Sequence, residues 1–459
     1  MWRISGFALL VIALSVPVVG AKGAWGAEAA PRRVSLAKAL EIAAQHNRVV
    51  KAANLRREAV AEAAGEARGA MLPRLDATEN FSNTNNPPAV FSNLLNQQDF
   101  TKSNFDVDKL NFPSPLSNFQ TQIRLTQPLF AGGKLIAAFK AAKDSSEAEK
   151  WRALRQSQEV AFVVIGAYYT AILAGKQLEV IGRALDSARA HREQASDLFS
   201  RGMVVKSDVL RSGVAVGSWE QERIQGENRL HISWASLAHM LGIEDQPVAP
   251  LENPEELDAA RRRVMTSMAD VIATALGRRP ELHIADAEVG RARQQVRIAE
   301  ADYLPSVSVG AAYENDSEHF SRAGNSYSVF VAGQLNLFNG LATRSKTESA
   351  RSELMRAEVL KEDLKHAIAL EVETAYRGLS AALDRLKVAE RDTAYAAEAL
   401  AIIKDRYGSG LATNLEVLDA ETSNAQAQTR SIETRVGVQV AAASLALASG
   451  AMPGEGGGW

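Results

Sequence analysis

Two long stretches of this chain carry apolar residues at helical spacing without a break. No proline interrupts the sequence between Pro128 and Pro247, or between Pro305 and Pro453. Within them, Lys134 to Ser200 and Leu341 to Tyr407 each predict a single helix. At ~1.5 Å rise per residue each would run about 100 Å. Helices of that length belong to coiled coils and bundles. A glycine turn follows each, and then a second helical pattern over about 206–241 and 414–449. The prediction is two long helical hairpins, about 134–241 and about 341–449. Alanine-rich stretches at Ala171-Ile-Leu-Ala174 and Ala441-Ala-Ala-Ser444 let their neighbours approach closely.

Ahead of each hairpin the period falls to two. Val307, Val309, Ala311 and Tyr313 alternate with Ser308, Gly310 and Ala312. Tyr327, Val329, Val331, Leu335 and Leu337 oppose Ser328, Gln334 and Asn336, with Phe330 as an exception. Phe119, Ile123, Leu125 and Leu129 alternate with Gln120, Gln122, Arg124 and Thr126. The pattern predicts strands over about 75–81, 119–129, 306–313 and 327–337, each with one apolar and one polar face. An ordinary half-buried sheet fits this alternation. So does a membrane barrel strand, which needs about 9–11 residues. Four strands cannot close a barrel, since the smallest have about eight. Several chains would have to share one, and three would supply twelve strands. An amphipathic helix precedes each strand pair, over about 35–71 ending at Pro73 and about 268–303 ending at Pro305. The segment 82–117, rich in Asn, Ser, Pro and Phe, predicts an exposed surface loop, and its counterpart 314–326 is shorter.

The same order of elements therefore occurs twice. Ser35 and Pro73 match Ser267 and Pro305 at one offset. Phe130-Ala-Gly132 and Gly202-Met-Val match Phe338-Asn-Gly340 and Gly410-Leu-Ala at a shorter one, because the first copy carries the longer insert. This divides the chain into a first repeat (30–245), a linker (246–266), a second repeat (267–450) and a flexible tail (451–459). Residues 1–29 read as an export signal peptide: Arg3, an apolar core from Phe7 to Val19, then small-residue cleavage options. That core is shorter than the ~20 residues a spanning helix needs.

Composition narrows the function. The chain has no cysteine, which removes disulfides, thiolate metal sites, cysteine nucleophiles and lipidation at an N-terminal Cys. A net charge of -2 offers no basic field for nucleic acid. No apolar run after the signal is uninterrupted enough to predict a spanning helix, so strands would have to carry any crossing. The seven histidines are scattered and form no close ligand pair. No phosphate loop, GxSxG or HExxH motif occurs. The expectation is a protein that is not an enzyme and needs no cofactor or metal.

The hairpin turns carry the most specific signal. Gly202 and Gly410 fit the position just past a helix end, where positive φ is common. Thr413-x-x-Glu416 forms a capping box for the returning helix. Glu416 and Asp419, three apart, share a helix face and in a trimer could form carboxylate rings; their counterparts in the first copy are Asp208 and Arg211. Helix termination and a plain solvated face account for these residues; a docking surface and a gate are the sharper reading.

The duplicated helix–strand–strand–hairpin layout, the strand ends Leu125-Thr-Gln-Pro-Leu-Phe-Ala-Gly-Gly133 and Leu335-Asn-Leu-Phe-Asn-Gly340, and the paired tips resemble the TolC-type outer-membrane efflux ducts over about 35–450. That resemblance implies a mainly α homotrimer with a small β part. A shared twelve-stranded barrel in outer-membrane lipid would be continuous with a periplasmic helical cylinder. The partners implied are a periplasmic adaptor protein and an inner-membrane RND pump or ABC exporter. The adaptor-docking residues carry over to Gly202, Met203, Val205, Gly410, Leu411 and Thr413, and the gate residues to Ser207, Asp208, Tyr407, Glu416 and Asp419. Some members place an arginine two positions after the second tip glycine, where this chain has Ala412. Arg211, paired with Glu416 or Asp419, is the expected substitute. The rival reading is a soluble periplasmic coiled-coil adaptor or scaffold, which would have no need for two-faced strands.

Overall fold

The computed structural model describes residues 32–244, 248–250, 267–320 and 324–452. The expected export signal, most of the linker and the end of the tail lie outside them. The first repeat runs β1 (Arg32–Val34), α1 (Leu36–His46), α2 (Arg48–Gly69), β2 (Arg74–Thr84), α3 (Pro87–Asn96), α4 (Val107–Asn111), β3 (Leu116–Ala131), α5 (Lys134–Ser200) and α6 (Lys206–Leu241). After β4 (Val248–Pro250), the second repeat runs α7 (Met268–Arg278), α8 (Pro280–Glu300), β5 (Ser306–Ser317), β6 (Gly324–Gln334), α9 (Ala342–Gly408) and α10 (Asn414–Ala448). Helices α5 and α9 are each 67 residues long.

Several elements differ from the sequence expectation, each for a local reason. The helix expected over 35–71 breaks at Asn47. Its Oδ1 accepts from Val49 N (2.8 Å) and Val50 N (3.3 Å), and its Nδ2 donates to Met240 O (2.8 Å). The counterpart breaks at Arg279, because Pro280 lacks an amide hydrogen and occupies the first turn of α8. Buried Arg279 donates to Ala448 O (3.0 Å) and pairs with Glu281 and Glu371.

The expected loop 82–117 is instead largely folded. Asn86 caps α3 by accepting from Ala89 N, with Pro87 at its first position, and a 3-10 turn (Lys102–Phe105) and α4 follow. β6 stops at Gln334, which pairs with Ser306, because Pro305 has no amide to continue the ladder; Leu335 and Leu337 lie beyond it. Val248–Pro250, expected as linker, pairs in parallel with β1. A window of α5 is, by length and composition alone, apolar enough to cross a membrane. Buried Val164, Ile165, Tyr168 and Tyr169 on α5 account for much of that character by packing into the protein's own core.

The sheet has the order β2-β3-β5-β6, antiparallel throughout, so β3–β5 joins the two repeats. Register sorts its faces. Leu75, Leu125, Ala311 and Val329 form one row; Ala77, Ile123, Tyr313 and Tyr327 the next. The opposite face carries Asp76, Thr78, Gln122, Arg124, Glu314 and Ser328. Residues opposed across a ladder share a face, so the alternation is coherent over four strands. Phe330, the exception on the polar face, lies across Gly310, where a Cβ would collide with the ring, and the Arg124 guanidinium is 6.0 Å from its centroid. The apolar face is open to solvent: Tyr327 is 85 % and Val331 72 % exposed.

The principal core sits mid-length along the hairpins. Val34, Leu36, Ile42, Val164, Tyr168, Leu237, Leu241, Val248, Ala443 and Met452 bury one another there, and Tyr168 OH donates to Val34 O (3.1 Å). Helix α8 packs on α5 of the other repeat as well as on α9, so the halves are interleaved. At the sheet junction Asp302 receives Lys134 Nζ (2.9 Å) from α5 and Lys346 Nζ (2.5 Å) from α9. These two lysines hold its carboxyl below the usual range and fix the starts of both long helices.

Candidate functional site at the hairpin tips

Both hairpins turn through the same motif. Gly202 and Gly410 take φ of 75° and 73°. Met203 N donates to Leu198 O (2.9 Å) and Leu411 N to Arg406 O (2.8 Å), the six-to-one bond that closes a helix end around a left-handed residue. A side chain at either glycine would meet no neighbour, so backbone conformation is what requires glycine here. Met203, Val205 and Leu411 project into solvent, each more than 60 % exposed, and Ser207 and Thr413 are exposed beside them. The six residues expected to dock an adaptor thus form two apolar knobs at one end of the molecule.

The expected gate residues separate into two groups. Thr413 N donates to Glu416 Oε2 (2.6 Å), Thr413 Oγ1 donates to the same oxygen (2.8 Å), and Glu416 N donates back to Thr413 Oγ1 (3.3 Å). These donors hold the Glu416 carboxyl below the usual glutamate range. Its charge is therefore engaged by its own helix. Arg211 and Asp419 are exposed, and among the described residues the pairing expected of Arg211 with Glu416 or Asp419 is not made within the chain. Tyr407 is not at an open surface. It is buried between the hairpins with its ring 4.9 Å from that of His191. Burial, and then the charge of Asp208, push its phenol up, and its hydroxyl has no partner.

What joins the hairpins near the tips is a set of residues that sequence reading missed. His191 Nε2 donates to Asn414 Oδ1 (2.6 Å), Ser212 Oγ lies 3.1 Å from the same oxygen, and Asn414 Nδ2 donates to Asp208 O (3.3 Å). Two turns further along α10, buried Glu421 receives Ser187 Oγ (2.6 Å) and Lys404 Nζ (2.9 Å). Together these bonds tie α5, α6, α9 and α10 into one joint. The only sequence signal was a set of polar residues at helix positions that their own helices would bury.

A model of the family described as outer membrane efflux protein matches residues 39–243 and again 271–451, one stretch in each repeat. The chain belongs to the outer membrane efflux protein family. Membership places it in the outer membrane as a channel protein and removes the soluble-scaffold reading. The chain is similar to the protein CyaE of Bordetella pertussis, 28% identical over 334 residues that cover 72% of this chain and 70% of CyaE. It is also similar to the alkaline protease secretion protein AprF of Pseudomonas aeruginosa, 23% identical over 363 residues, with 77% and 71% covered. Among solved structures, the outer membrane protein VceC of Vibrio cholerae superposes with a TM-score of 0.72 at 19% identity, covering 90% of this chain and 96% of that one. The CmeC outer membrane channel of Campylobacter jejuni gives 0.74 at 15%, with 92% and 87% covered. At those identities the superpositions speak for the fold.

Proposed function

We propose that this efflux-family chain works as a homotrimeric exit duct, conducting cargo passively from an inner-membrane transporter across periplasm and outer membrane. The observation that carries the reading is the sheet. It has four strands, its edge strands β2 and β6 pair on one side only, and one face is apolar yet open to solvent. An unpaired edge in lipid leaves backbone groups unsatisfied, so spanning sheets close. Three copies joined β6 to β2 make a barrel of twelve strands with the apolar face toward lipid and the polar face lining water. The ~100 Å hairpins continue the barrel as a cylinder. Exposed Val388, Tyr395 and Ile402, spaced seven apart on α9, form a stripe suited to a neighbouring copy.

The tip knobs around Gly202, Met203, Val205, Gly410, Leu411 and Thr413 dock a periplasmic adaptor. Ser207, Asp208, Arg211, Tyr407, Glu416 and Asp419 surround the closed end, and Arg211 pairs with Asp419 between copies rather than within one. Two relatives favour secretion or export as the role of the duct. One is the alkaline protease secretion protein AprF, and the other is the pyoverdine export outer membrane protein OpmQ of Pseudomonas aeruginosa, 25% identical over 335 residues. The inner-membrane partner is an RND pump or an ABC exporter. Native mass spectrometry and planar-bilayer recording of the detergent-purified chain test the proposal. A trimer that conducts is expected; a monomer, or a trimer without conductance, refutes it.

A further inference from the structure

The insert of the first repeat has no equivalent in the second, and it is not an appendage. Phe91, Phe100 and Phe105 stack edge to face at 5.0 and 5.1 Å, giving it a small core of its own. Its first helix, α3, packs across the hairpin of the other repeat, against β5 and β6. The contact is close: a Cβ at Gly324 would collide with Asn96 O. Gln98 adopts left-handed backbone (φ 59°), unusual for a residue other than glycine, and its Nε2 donates to Asn325 O (3.3 Å).

Beneath α3 lies a buried polar triad. Gln97 Nε2 donates to Asn118 Oδ1 (2.8 Å) and to Ser117 O (2.8 Å), and Asn118 Nδ2 donates to Asp316 Oδ1 (2.6 Å). Gln97, Asn118 and Asp316 are each at most 5 % exposed. Buried amides and carboxylates are costly unless bonded, so this network fixes one position for the insert. That position is on the polar side: Asn118 shares a face with Gln120, Gln122 and Arg124, and Asp316 with Glu314. It is also at the end of the sheet away from the long helices.

We propose that residues 86–115 are a fixed cover over the water-lining face at the outer mouth, positioned by Gln97, Asn118 and Asp316, and that they set the size limit at that mouth. This rests on the duct reading above, in which the polar face lines the lumen. Three copies would bring three such covers to one opening. The second repeat's hairpin closes with a shorter connection, so the cover is not needed to join the strands.

The test uses the full-length chain in planar bilayers. Replacing 86–115 by a short Gly-Ser turn removes the cover. Gly324→Asn places a side chain against Asn96 and displaces it; hydrogen exchange over 87–96 confirms the displacement. Both variants are expected to admit larger polyethylene glycols from the extracellular side, raising the polymer mass at which single-channel current is no longer reduced at least about twofold, a readout that the closed end at the tips does not limit. A wild-type polymer cut-off in the turn-replacement variant, or in Gly324→Asn with the exchange over 87–96 accelerated, overturns the proposal while leaving the duct reading standing. A wild-type chain that conducts nothing overturns the duct reading and this inference with it.

Discussion

The joint between the hairpins yields the sharpest expectation. Lys404 Nζ stands 2.9 Å from Glu421 Oε1, and the side chains are 38% and 4% exposed. Lys404→Met keeps the packing of the stem and leaves Glu421 buried, with Ser187 as its remaining partner. At an effective dielectric of ~20 the lost attraction is about 6 kcal/mol before desolvation is counted. Stranding one member of a fully buried pair costs ~3–5 kcal/mol. Lys404 is more than a third exposed, so water already screens it, and the net loss is about 2 kcal/mol. Local opening of the tip then becomes roughly 30-fold more frequent. Hydrogen exchange read on peptides spanning 414–424 of the detergent-purified protein measures this, and bilayer conductance should rise with it. The double variant Lys404→Met/Glu421→Leu removes the stranded charge and should recover most of the protection, because an apolar pair can replace a buried ion pair at little cost. Unchanged exchange in the single variant, or a double variant as open as the single, refutes the assignment.

Asn47→Ala removes a cap and the bond to Met240 O, and should lower the stability of the mid-length core by about 1–2 kcal/mol in thermal unfolding. The capping box predicts a pH dependence. Because Glu416 is held below its ordinary value of 4.5, its contribution is complete above that value and lost as pH falls through the depressed one. Exchange at 413–417 should therefore accelerate on acidification, and Glu416→Gln should abolish that component. Tyr407→Phe deletes a buried hydroxyl without a partner and should stabilise the joint by about 1 kcal/mol. If it loosens the tips instead, the hydroxyl finds its acceptor in a neighbouring copy.

Much of the architecture was legible because it is periodic. A helix of 67 residues repeats its signal often enough to fix its ends: the expected start and stop of α5 are those observed, and α9 is displaced by one residue. Strand faces were equally readable, since alternation over four strands leaves one consistent sorting. The misses share a cause, which is that a single residue decided them. Asn47 breaks a helix through one side chain, while the surrounding pattern stays helical. Pro280 carried a plain signal inside the expected helix, and Asn86-Pro87 was a helix start hidden in a stretch whose Asn, Ser and Pro content reads as loop. The joint was illegible for a different reason. His191 meets Asn414, and Lys404 meets Glu421, only after two hairpins from separate repeats are brought side by side.

That joint also shows where the two repeats have parted. Every side chain in it has an unlike counterpart at the matching position of the other copy: His191 with Ala399, Ser212 with Ala420, Asn414 with Lys206, Ser187 with Tyr395, Lys404 with Ser196 and Glu421 with Gly213. The caps diverge in the same way. Thr413 and Glu416 close a capping box, whereas at the first-repeat position Val205 has no side-chain oxygen and no side-chain cap forms; the first turn of α6 is instead tied across the joint by Asn414 Nδ2, which donates to the carbonyl of Asp208. The second hairpin is thus capped by its own residues, and the first leans on it. In the proposed trimer each hairpin has one neighbour within its chain and one in the next. The bonded set can occur only at the joint within a chain, because the other joint presents the opposite sides of the same helices. In that trimer the three joints between chains would be held by different contacts, among them the proposed pair Arg211 with Asp419. Opening driven by an adaptor would separate the two kinds of joint unequally. Arg211→Ala should weaken the joints between chains, read as easier trimer dissociation in native mass spectrometry, and leave exchange around Ser187 and His191 unchanged, whereas Lys404→Met should do the reverse.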